Sequence, residues 1–236
     1  MPTSDPALFQ KLRPVLDILE TGGIYLEIHN DMHRFAARLA GYGRHVYPGF
    51  RPAYEPDNPG TYGALFNHED KLLCCMAWRC FETEDLVHDI EQFLPFYCDH
   101  TTDDPTWHTD LAGILTLKGL IGYRGGLNSL EEGSRIAWFM TLIAMICLDH
   151  AGVAYQAGEA RDDMLTSGRL RSMSGYSNAN PLGSIFIKKH GHDEAINLVW
   201  SSADQVRKEI AGRLTILADC RPKNFETAVT ALKALQ

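Results

Sequence analysis

Long apolar runs are scarce in this chain. The longest considered, Ile136 to Leu148, has thirteen residues of which only Thr141 is polar. A membrane span needs about 20 residues, so no membrane helix is expected. Positive charge is also in short supply. Against 30 acidic residues stand 22 basic ones, for a formal net charge of −8. That balance argues against broad electrostatic binding to nucleic acid or to an anionic membrane. No CxxC pair occurs among the six cysteines. Cys74, Cys75 and Cys80 lie in the apolar stretch "CCMAWRC", and Cys147 lies in the thirteen-residue run. These are expected to be buried reduced thiols rather than a disulfide framework. HExxH, a GxSxG elbow, a Walker A loop and a Rossmann glycine triplet are all absent. There is no internal repeat and no low-complexity linker. The opening residues lack the basic start and apolar core of a signal peptide, so a cytoplasmic protein is expected.

What is present is ordinary globular composition, 45% hydrophobic and 22% charged over 236 residues. This suits one large domain, or a domain with an appendage. Apolar positions at helical spacing run from Leu8 to Leu19, weakened by Pro14. "GGIYLEIHN", residues 22–30, alternates as a strand does. A helix should follow, with Asp31 as its N-cap. Residues 48–62, rich in proline, are expected to form a loop. "YGALFNHEDKLLCCMAWRCFE" predicts a hairpin about the turn "NHED". "DLVHDIEQFLPFY" predicts a helix. "LAGILTLKGLIGYRGGLNSLE" predicts one long strand, or two broken by glycines. After the apolar helix, "VAYQAGEA" predicts a strand and "MLTSGRLRSMSGY" a short irregular helix. "GSIFIKK" and "AINLVWSS" predict two last strands, and "ADQVRKEIAGRLTILADC" and "FETAVTALKALQ" two last helices. The order is that of a mixed α/β domain, with helices on both faces of a central sheet. A helix apolar on every side belongs inside such a sandwich.

The turn "EEGSR" before that helix raises a chemical possibility. A helix N-terminus presents unpaired N–H groups and the positive end of a dipole, which suit phosphate. Gly133 would permit close backbone approach, and Ser134 can cap. The alternative is a plain capped helix, with Glu131 and Glu132 satisfying the dipole. Arg135 could contact a phosphate or pair with Glu131.

Over residues 22 to 200 the pattern of elements resembles the GNAT acyltransferase superfamily. Its Q/R-x-x-G-x-G/A turn falls on "EGSRIA", Glu132 to Ala137. The stop of the following helix falls on "HAG", His150 to Gly152. The next strand is "VAYQAGEA", and the family's Gly-Phe pair falls on Gly175-Tyr176. The sequence departs from the pattern at Glu132, at Arg135 in place of a glycine, and at Arg171, where many members carry a tyrosine. The resemblance implies a GNAT-like mixed central sheet with helices on both faces, occupying residues 22–202. An N-terminal helical segment (1–21) and a C-terminal helical extension (203–236) would flank it. It implies an N-acyltransferase using acetyl-CoA or another acyl-CoA as cosubstrate, with a small-molecule or peptide amine as acceptor. The strands before and after the apolar helix should run parallel and splay apart. The backbone from Leu127 to Ser129 would hold the pantetheine arm. Gly133, Ser134, Arg135, Ile136 and Ala137 would face the pyrophosphate. Glu159 is the candidate base, with Glu27 as the other choice, and Tyr176 the candidate proton donor.

Two further readings stand beside this one. The departures at Arg135 and Arg171 suit a degenerate domain that binds a ligand or partner without catalysis. The histidines and aspartates of "CDHTTDDPTWHTD" suit a metal-dependent hydrolase, although their spacing matches no metal motif and no metal ligand is assigned. His29 and His33 stand four apart, but on different predicted elements. "KKHGHDE" is expected to be a solvated turn.

Overall fold

In the computed structural model of the chain, the described residues are 5–44, 46, 48–50, 52, 60–91, 115–130, 136–167, 173–187 and 192–234. Seven strands form one sheet: β1 (Ile24–His29), β2 (Gly60–Asn67), β3 (Leu72–Thr83), β4 (Gly119–Ser129), β5 (Tyr155–Arg161), β6 (Asn178–Ile187) and β7 (His192–Ser202). Their spatial order is β1-β2-β3-β4-β5-β7-β6. Every neighbouring pair is antiparallel except β4 and β5, which are parallel. The expected mixed sheet with helices on both faces is what forms.

One face carries α1 (Pro6–Thr21), α4 (Ala137–His150), α6 (Ala203–Asp219) and α7 (Phe225–Lys233), whose apolar residues share one buried cluster. The other carries α2 (Met32–Gly41) and α3 (Leu86–Glu91), which pack with Phe50 in a second cluster. A fifth short helix, α5 (Asp162–Thr166), follows β5. Asp5 caps α1 through the amides of Ala7 and Leu8, and Asp31 caps α2 through that of Arg34. Asp5 also lies 2.7 Å from His150 Nε2, joining the start of α1 to the end of α4. Pro14 sits inside α1, which continues through it.

The helix α4 joins the parallel pair. Every side chain from Ala137 to Leu148 is buried. Thr141, its one polar residue in that span, has its hydroxyl 2.9–3.0 Å from the carbonyls of Ala137, Trp138 and Met173. The polar group is thus satisfied inside the core. No helix among the described residues is long and apolar enough to cross a membrane.

Several boundaries differ from expectation, among them that of β7, which begins at His192 rather than Ala195 and takes the last three residues of "KKHGHDE" into the pairing with β6. The loop expected over residues 48–62 gives way to strand at Gly60, because Thr61 and Tyr62 pair with Trp78 and Ala77 once the prolines end. Pro48–Phe50 form a turn of 3₁₀ helix. β6 starts at Asn178 rather than Gly183, taking in Pro181. This is tolerated because β6 is an edge strand, and the register shifts between Pro181 and Gly183. The irregular helix expected from Met164 begins earlier, at Asp162.

Candidate functional site

The parallel pair is short. β4 and β5 are in register at Ile121–Tyr155, Gly122–Gln156 and Tyr123–Ala157. Beyond that, β4 stays with β3 as far as Ser129, opposite Cys74, while β5 stays with β7 as far as Arg161. The two strands therefore part after Tyr123 and Ala157, as expected of this pair.

A bulge on β4 accompanies the parting. Cys75 faces Asn128 but Ala77 faces Gly125, so β4 carries one residue more than β3 across this step. The extra length falls at Gly126–Leu127. Gly126 has φ +60°, a conformation suited to glycine, and Asn128 Nδ2 donates to its carbonyl at 2.9 Å. A bulge bends its strand and raises the local twist, which turns β4 away from β5. On the facing strand Gly158 matters for a different reason. A Cβ there would lie 2.6 Å from the Arg124 carbonyl and 2.7 Å from the Tyr176 hydroxyl. Glycine lets β5 approach at the point of divergence.

Between the parted strands lies a cavity of about 300 Å³. Its wall includes Arg124 and Leu127 of β4, Glu159 and Ala160 of β5, and Met173 and Tyr176 of the segment before β6. Glu159 and Leu127 are half-buried. Tyr176 is buried, and its hydroxyl donates to the Ala157 carbonyl at 2.9 Å. Burial raises its pKa, although the Arg124 cation opposes the shift. The group is therefore a protonated phenol whose proton is engaged with the backbone.

Arg124 was not among the residues singled out from the sequence. It is 2% exposed, and its Nη2 donates to the carbonyl of Ser174. Its guanidinium carbon lies 4.2 Å from the centre of the Tyr176 ring. Burial lowers its pKa, but an arginine remains cationic at neutral pH. The sequence signal was a lone charge in the otherwise uncharged stretch "LIGYRGGL".

The structure brings Leu127, Glu159 and Tyr176 to one cavity. Ser129 lies at the far end of β4. Ile136 and Ala137 are buried at the start of α4, and among the described residues no side-chain hydrogen bond caps that start. Gly133, Ser134 and Arg135 lie outside the described residues, as do Glu131, Glu132 and Arg171. So do all of "CDHTTDDPTWHTD" and residues 188–191. Among the described residues no cluster of three or more histidine, cysteine or acidic side chains is arranged to hold a metal ion. Burial pushes the thiols of Cys75 and Cys147 up to about 12 and that of Cys80 to about 11. They stay protonated at neutral pH and are poor nucleophiles.

No protein-family model matches the chain, and no curated protein sequence matches it. Among solved structures, it is similar to a spermidine N-acetyltransferase from Vibrio cholerae in complex with CoA and spermine. That match has 9% identity, covers 79% of this chain and 99% of the other, and has a TM-score of 0.44. It is also similar to FeeM, an N-acyl amino acid synthase from uncultured soil microbes. There the identity is 12%, the coverage 78% and 95%, and the TM-score 0.45. Likenesses this distant carry no inference about activity. The strand order, the parallel pair that parts and the buried helix joining it make this a GNAT-like fold with a divergent sequence.

Proposed function

We propose that this chain is a cytoplasmic, acyl-CoA-dependent N-acyltransferase. Acetyl-CoA or another acyl-CoA is the cosubstrate, and the acceptor is the amine of a small molecule or peptide. The observation that carries the proposal is the cavity opened where β4 leaves β5. The resemblance puts the pantetheine arm along β4, which forms one wall of that opening.

The chemistry asked of the protein is modest. The amine nitrogen attacks the thioester carbonyl, a C–N bond forms, and the C–S bond breaks. The amine proton goes to a base, and the departing thiolate takes up a proton. Alignment and a correctly placed base supply most of the help. Glu159, on the cavity wall, is the proposed base. Tyr176 is the proposed donor to the thiolate, and in that role it would give up its bond to Ala157. The backbone of Leu127 to Ser129 is proposed to hold the pantetheine arm. The amides of Gly133, Ser134, Arg135, Ile136 and Ala137 are proposed to meet the pyrophosphate. The apolar Ile136 side chain offers no cap that would compete for those amides.

Calorimetric titration of CoA into the protein tests this. Saturable binding is expected, and Gly133→Val should weaken it at least tenfold by blocking backbone approach. Absence of binding at millimolar CoA would sink the transferase reading. CoA binding without thiol release, when acetyl-CoA is offered with a panel of amines, would instead support a non-catalytic ligand-binding domain. The engaged hydroxyl of Tyr176 is the observation that favours that second reading.

A further inference from the structure

A cation buried to the extent of Arg124 normally has its donors satisfied and an anion nearby. Arg124 has neither in full. Its Nη2 meets the Ser174 carbonyl, and the Tyr176 ring offers a π face. Its Nε and Nη1 are buried with no well-aligned acceptor among the described residues, although the Tyr176 hydroxyl lies close enough to favour the cation. The acid on the neighbouring helix, Glu209, is committed to another buried guanidinium, with Arg213 Nε donating to it at 2.8 Å. Ser174 and Tyr176, the two partners of Arg124, both line the cavity, as Arg124 itself does. The charge therefore sits at the wall of a space able to take a small molecule. Met164 and Met173 are also in that wall. Their unbranched side chains can shift without moving backbone.

We propose that Arg124 is the carboxylate-recognising group of this cavity, and that the acceptor is an amino carboxylate such as an α-amino acid. A carboxylate supplies oxygen acceptors for these donors and a negative charge that, unlike that of Glu209, is not shared with Arg213, in charge-assisted hydrogen bonds. Glu159, on the facing strand, lines the same cavity and gives the amine an anionic neighbour. The assignment of the amine as acceptor rests on the transferase reading; the preference for a carboxylate does not.

The test is calorimetric titration of the full chain with N-acetyl-L-leucine, N-acetyl-L-phenylalanine and N-acetyl-L-methionine, each against its carboxamide. These pairs differ in the carboxylate and carry no ammonium. At least one acid is expected to bind tenfold or more tightly than its amide. Arg124→Met should abolish that preference, and Arg124→Lys should keep part of it. Wild-type protein that treats every acid and amide alike overturns the proposal, whatever the variants do. So does an Arg124→Met protein that folds and still prefers the acid. If Arg124→Met fails to fold, Arg124→Lys decides: preference undiminished from wild type counts against the proposal, and a several-fold reduction supports it. CoA titration of the same protein is independent of these outcomes, so a failed transferase reading and a failed carboxylate site are told apart.

Discussion

Glu27 faces two arginines and a histidine. Its Oε2 is 2.8 Å from His29 Nε2, 2.7 Å from Arg38 Nη2 and 3.7 Å from Arg34 Nη2. Burial alone would raise its pKa, but the hydrogen bonds from His29 and Arg38 outweigh it and hold the carboxyl below 4.5. Such a carboxylate is a weak base, and Glu27 is not part of the cavity wall, where Glu159 stands. A carboxyl depressed in the folded state stabilises above its unfolded pKa, and the effect fades as pH falls through the folded value. Denaturant unfolding of wild type and Glu27→Gln should therefore differ by about 1 kcal/mol at pH 7, as for a partly exposed ion pair. The gap should close as pH falls below the ordinary glutamate value of about 4.5 and through the lower folded-state value. A gap that holds steady across that range would show that the charge of Glu27 contributes nothing.

At the scale of elements, α4 is the piece on which the sheet and the other helices meet. It packs on β2, β3 and β4 and touches α1 and α6. Gln156 of β5 donates to its Met145 carbonyl at 2.9 Å. A Cβ at Gly122 would lie 2.9 Å from a methyl carbon of Leu148, so β4 and α4 are in close contact there. Ile143, in the middle, is fully buried. Ile143→Ala should cost about 2–5 kcal/mol by loss of contacts and creation of a cavity. Chemical denaturation reads this directly, and a loss below about 0.5 kcal/mol would mark the helix as peripheral. The character of this helix was legible in its sequence, since thirteen residues with one hydroxyl cannot present a solvated face. Its surroundings were not, because the sequence names no packing partner.

At the scale of the molecule, the terminal helices belong to the same core as α4. Leu8, Leu12 and Val15 of α1, Leu217 of α6 and Val229 and Leu232 of α7 lie in one buried cluster with it. Phe225 of α7 stacks on Phe139 of α4 with ring centres 5.4 Å apart. Ending the chain after Cys220 would strip α7 away and expose that apolar surface. A thermal unfolding scan of this shortened chain should show a melting temperature lowered by several degrees at least. An unchanged melting temperature would mean that α7 is dispensable to the core.

Local pattern was enough to determine the mixed α/β class, the caps at Asp31 and the hairpin at "NHED". It also pointed to the burial of α4. Each follows from periodicity or turn chemistry within a few residues, where the physics is short-range. The parallel strands on either side of α4 were implied only by the GNAT resemblance. The course of β4 was decided by tertiary structure. "LIGYRGGLNS" reads equally as one strand or two, and pairing with β3 makes it one strand with a bulge at Gly126–Leu127. The same holds for Arg124 and Gly158. An arginine in a strand looks like a solvated charge until β5, Tyr176 and Ser174 close around it, 34 to 52 residues further along the chain. Glycine at 158 looks like a weak strand residue until the Arg124 carbonyl is found where its Cβ would be. Burial and close approach are properties of segments distant in sequence. The cavity and its partly satisfied cation therefore exist only once the chain has folded.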